Sequence, residues 1–231
     1  MIFTDGSDGR GKFAFMNWVF DNGLGSLNTD INLQKASDFK EMGKAYLEAA
    51  GELLIYMAQK PEFDPTLDTM IFPTLFNIWH GLELLLKSGN MLCDILEEKP
   101  ISNYSKHKIV EYADEFCSKM KRLGFTKIES NQLASLMEFV NECRAKNIHF
   151  DFARYTFQSS GDTQFYNTPN SDGITPNSCV NLAELARVLS GIMTDFTQLV
   201  DYLYDYVDTK DLDPYQKLDQ ENLDYYCSLE I

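Results

Sequence analysis

The chain has 231 residues with 35 acidic against 20 basic side chains, a formal charge of −15. A hydrophobic fraction of 44% and an aromatic fraction of 13% are enough for a packed core and exclude an intrinsically disordered chain. The acidity excludes nucleic-acid coating by net charge alone and a basic membrane-surface helix. No apolar run approaches the ~20 residues of a spanning helix, and the first residues lack the charged-then-apolar layout of a signal peptide. The expectation is a cytoplasmic protein with no membrane partner.

The first 30 residues differ from the rest. Lys12 to Phe20 is aromatic and partly alternating, and it follows a Gly/Asp/Ser turn at Asp5–Gly11. That pattern predicts a short N-terminal β-hairpin. The turn has fragments of a calcium loop (Asp5, Ser7) and of a phosphate loop (Gly6, Gly9, Gly11), without the full spacing of either.

From Asn32 onward the period is helical. Phe39, Met42, Tyr46, Leu53, Leu54 and Met57 mark one face of a helix over 31–60, capped by Asp30 or Thr29 and ended by Pro61 and Pro65. A second helix is expected over 69–98, with Pro73 in its first turn or starting it afresh and Leu75, Ile78, Trp79, Leu82, Leu85 and Leu86 as its core stripe. A third covers 105–123, stopped by Gly124, and a fourth covers 131–146. Residues 150–180 form a long loop rich in Gly, Ser, Asn, Thr and Pro, a length that tends to carry function. A last helix runs over 181–208 with Leu182, Leu185, Leu189, Ile192, Phe196, Leu199 and Leu203 inward. The class is mainly α, one domain over 31–208, with the hairpin extension at 1–30 and an acidic tail at 209–231.

Charge is unevenly distributed. Residues 99–154 hold ten basic and seven acidic residues, a net of +3, whereas residues 201–231 hold nine acids and two lysines, a net of −7. The basic middle leaves room for a small RNA path, and the acidic end admits a nucleic-acid-mimic reading. The cysteines (Cys93, Cys117, Cys143, Cys179 and Cys227) are odd in number, widely spaced and without a CxxC pair, so reduced thiols are expected, with no structural zinc and no cofactor.

Three histidines, His80, His107 and His149, bound any imidazole chemistry. His80, Glu83 and Lys87 stand at i, i+3 and i+7, sharing a helix face beside the core stripe. They form either a substrate pocket or a hydrogen-bonded structural network. Arg154 and Tyr155, in the long loop, either hold a phosphate and stack a base or pin the loop through Glu83 or Asp151.

The stretch Trp79-His80-Gly81-Leu82-Glu83-Leu84-Leu85-Leu86-Lys87 resembles the helix pattern RHxLELxLK of many HEPN-like helical proteins, with Trp79 in place of the Arg. Lys106-His107-Lys108-Ile109 is similar to that group's GHDL helix start, and Phe152-Ala153-Arg154-Tyr155 with Gly161 to its FRYP…G segment. The matches fall in the same order over residues 70–205. The resemblance implies an up-and-down bundle of four to five helices, commonly a homodimer. It also implies either a metal-independent endoribonuclease of a toxin–antitoxin or phage-defence system, with an antitoxin or defence partner, or a non-catalytic dimerisation, nucleotide-, RNA- or protein-binding module.

The active branch of that group carries Arg, four to six residues, then His. Here Arg144 and His149 fit, with Asn147 between them. Metal-free RNA cleavage can use the 2′-hydroxyl as nucleophile, an imidazole to move the proton and a guanidinium to stabilise phosphate charge. Arg144, Asn147 and His149 are therefore the candidate catalytic residues. Lys146, Arg154, Tyr155, His80, Glu83 and Lys87 are the candidates for substrate binding.

Overall fold

A computed structural model describes residues 30–125, 132–145 and 179–209. The described residues are mainly helical, with no strand among them. The expected hairpin at 12–20, the long loop and the acidic tail lie outside the described residues.

Helix α1 (Ile31–Ala58) starts where Asp30 accepts from the Asn32 amide at 2.8 Å, satisfying one of the four orphan donors of a helix start. Its buried face is Leu33, Ala36, Gly43, Leu47, Ala50, Leu54 and Met57. The larger side chains expected there, Phe39, Met42, Tyr46 and Leu53, lie only half-buried on its flanks. The reason is a close helix crossing. A Cβ placed on Gly81 would lie 2.8 Å from the Gly43 carbonyl oxygen, and one on Gly43 would lie 2.9 Å from that of Gly81. Small residues hold the centre because the two backbones nearly touch there.

Helix α2 (Pro65–Leu96) is the longest and starts earlier than the sequence suggested. Asp64 caps it through the Thr66 amide, and Pro65 sits in the first turn, where its missing N–H is harmless. Pro73 lies inside the helix rather than at its start. Ser88 of α2 donates to the Ala36 carbonyl, which places 36 against 88 and 43 against 81, so α1 and α2 run antiparallel.

Helix α3 (Ile109–Arg122) ends at Gly124, whose φ of +86° suits glycine. It does not reverse direction relative to α2. Glu83 meets His107, Gly89 meets Phe116, Asp94 meets Lys119 and Glu97 meets Arg122, so α2 and α3 are parallel. Residues 98–108 must therefore run back along about 21 Å of α2, the length of residues 83–97 at helical rise. At this step the expected up-and-down alternation does not hold.

Helix α4 (Ala134–Ala145) packs on α3 and on α5 (Leu182–Gly191). Asn181 caps α5 by accepting from the Glu184 amide at 3.2 Å. The chain continues through a π-helical turn, Ile192–Phe196, into α6 (Thr197–Thr209). The inward stripe expected of this last rod is buried from Leu185 to Leu203. Phe196 meets Phe116 edge-on at 5.8 Å, tying the rod to α3, and Lys40 and Lys44 of α1 hold Asp201 on α6. No described helix is long and apolar enough to cross a membrane.

Gly81→Ala should destabilise the fold, because the overpacking cost of ~1–3 kcal/mol exceeds the gain of about 1 kcal/mol in helix propensity. Gly51→Ala is the control. Its added methyl would meet nothing nearer than Met193 Sδ at 4.0 Å, so it should hold or raise stability. Urea denaturation of both variants measures the difference.

Candidate functional site

Over residues 81–94 every position of α2 is buried, because α1, α3 and α6 enclose it. Yet Glu83, Lys87, Asn90 and Asp94, spaced by four, three and four residues, form one polar stripe. It is enclosed with the leucines, at 1%, 6%, 0% and 2% exposure. Isolated buried charge is costly, so each of these groups needs a partner.

At the upper end, Glu83 accepts from Lys87 Nζ at 2.5 Å and from His107 Nδ1, which lies 3.0 Å from each carboxylate oxygen. The Glu83 side chain is 2% exposed and the His107 side chain 61% exposed. A carboxylate offers acceptors only, so the facing Nδ1 is the donor of this contact. The Lys87 ammonium also lies 5.9 Å from the ring centres of Phe39 and Tyr112. Tyr112 donates to the Lys106 carbonyl at 2.7 Å and so fixes the backbone next to His107.

At the lower end, Lys119 of α3 bridges Asp94 at 2.6 Å and Glu115 at 2.8 Å, and donates to Tyr104 Oη at 2.7 Å. Tyr104, from the crossover, donates to Asp94 at 2.8 Å, and the Ser102 amide adds a bond to the same carboxylate at 3.1 Å. Burial and then the acceptor Asp94 push the Tyr104 phenol far above its usual range. Asn90 donates to the carbonyls of Leu86 and Tyr112. The stripe thus welds α2 to α3 and to the loop that joins them. Just outside it, Arg122 and then Lys99 hold the Glu97 carboxyl down to about 2.

The sequence candidates fall in different places. Glu83 and Lys87 come together, as their spacing predicted. His80 packs its ring on Phe76 at 5.6 Å and edge-on to Tyr46 at 4.5 Å, on the α1 side. The imidazole on Glu83 is that of His107. Arg144 lies in the last turn of α4, 44% exposed, with its guanidinium on both oxygens of Asp114 at 2.7 and 2.8 Å and on Asn141 at 2.9 Å. Lys146, Asn147, His149, Arg154 and Tyr155 lie outside the described residues. The lower cluster was missed altogether. Its signal was the continuation of the Glu83–Lys87 spacing to Asn90 and Asp94.

Among the described residues no group of three or more His, Cys, Asp or Glu is placed to hold a metal ion. Burial pushes the Cys93 and Cys143 thiols up to about 12, so neither offers a thiolate near neutral pH. No family model, no curated protein and no solved structure matches the chain.

Lys119→Met should cost ~3–5 kcal/mol, because it strands Asp94 in the core. The readout is a urea midpoint shift. Iodoacetamide at pH 8 should label the exposed Cys179 in the folded protein and reach Cys93 and Cys143 only in denaturant, as followed by peptide mass spectrometry.

Proposed function

We propose that the chain is a HEPN-like helical protein of a toxin or phage-defence system that cleaves RNA without a metal and acts as a homodimer. The observation that supports this most is the Glu83–His107 contact. It joins two segments, 79–87 and 106–109, that separately resemble the HEPN-like pattern and stand far apart in sequence. In this reading the net +3 segment 99–154 guides the RNA backbone. Arg144 exchanges Asp114 for a phosphate, which is cheap because an exposed ion pair is worth only ~0.2–1 kcal/mol. His149 moves the proton and Asn147 supports the phosphate or the imidazole. Lys146, Arg154 and Tyr155 extend the contact to the substrate.

A second reading is a non-catalytic module that binds RNA, a nucleotide or a protein. Its support is that Glu83 and Lys87 pair with each other in the core and Arg144 already has a carboxylate partner. The two readings part in one experiment. Single-stranded RNA incubated with the full chain in EDTA should be cleaved, and His149→Ala should remove the activity with little change in Tm. Binding without cleavage selects the second reading, and cleavage that survives His149→Ala removes His149 from the site.

A further inference from the structure

We propose that the polar stripe of α2 holds one resident water molecule, bound between Asn90 Oδ1 and the Lys87 ammonium. Asn90 is 0% exposed. Its amide nitrogen donates to two carbonyls, those of Leu86 and Tyr112, both at 2.9 Å. Turning the amide over would set its oxygen against both carbonyls, so the orientation is fixed. Among the described residues Oδ1 then has no hydrogen-bond donor. An acceptor buried in this way is costly, and internal water is the usual partner of such an atom.

Two ammonium groups border Asn90, and they differ in what they have left to give. Lys119 reaches the Asn90 carbonyl at 3.3 Å, but its three N–H groups already face Asp94 at 2.6 Å, Glu115 at 2.8 Å and Tyr104 Oη at 2.7 Å. Lys87 stands one turn before Asn90 on the same helix face, and both border Tyr112. Among the described residues its one hydrogen-bond partner is Glu83. Lys87 therefore has N–H to give and Oδ1 has lone pairs to receive it, yet no direct bond joins them. The molecule that fits must accept from the ammonium and donate to the oxygen, and water does both. A metal cation has nothing to accept with and would stand beside two ammonium groups. With water there, the cluster of Glu83, Lys87 and His107 and that of Asp94, Tyr104, Lys119 and Glu115 become one hydrogen-bonded network along α2.

The test uses the full chain and does not depend on the RNA-cleavage reading. A crystal structure at a resolution that shows ordered solvent should place one water about 2.7–3.2 Å from both Asn90 Oδ1 and Lys87 Nζ. A direct bond from a protein donor to Oδ1, or no solvent peak beside it, overturns the proposal. Crystals soaked in rubidium chloride separate water from a cation, and an anomalous peak at this position also overturns it. In solution, oxygen-17 relaxation dispersion counts long-lived waters. Asn90→Leu, which lacks the acceptor, should hold one fewer than the wild type, and an equal count goes against the proposal. Should Asn90→Leu not fold, the wild-type crystals decide alone.

Discussion

The structure depends on keeping charge neutral inside a helix that has no solvent face. Residues 81–94 of α2 are enclosed on all sides, yet they carry two carboxylates, an ammonium and an amide. Each ion left alone would cost several kcal/mol, comparable to a large share of a domain's net stability. The partners are therefore not optional. Lys119, Tyr104 and His107 must arrive at the right heights, and a parallel α3 with a crossover alongside is the arrangement that delivers them. The opposite face of α2 solves a different problem by different means. Gly43 and Gly81 bring α1 close there, and the Ser88 hydroxyl donates across the crossing to the Ala36 carbonyl.

The sequence was legible where a local rule decides. Asp30 and Asn181 cap as their residue types predict, Gly124 ends α3, and the leucine stripes of α2 and of the last rod lie inward. It misled on α1, where bulk suggested Phe39 and Tyr46 for the core and the close crossing selected Ala36, Gly43 and Ala50 instead. It also misled on Glu83. Helical spacing offered His80, three residues away, but α1 and its Tyr46 draw that ring to another side, and the carboxylate meets a histidine 24 residues on. Helical periodicity has no means of showing a contact made across a parallel pair. The parallel pairing itself had no signal, since residues 98–108 have no period.

The candidate residues are of two kinds that differ in freedom. Glu83 and Lys87 belong to the packed interior, where rotamers are locked. His107 and Arg144 stand at the surface, tethered by carboxylates yet open to solvent. A chain with a net charge of −15 offers anions little general attraction. Any contact with a polyanion must be made by a few placed cations, and residues 99–154, which include α3 and α4, are where the basic residues exceed the acidic ones.

The parallel course of α3 also sets the order in which the molecule can be assembled. The α1–α2 hairpin closes over a turn of a few residues and needs only a short search. Asp94, at the lower end of the stripe, lacks its cation until the chain has emerged past Lys119. During synthesis one face of that hairpin is therefore charged and hydrated while the other is already dry. The same residues that make the finished core demanding give the unfinished one a soluble side, and α3 displaces water from it rather than covering bare hydrocarbon.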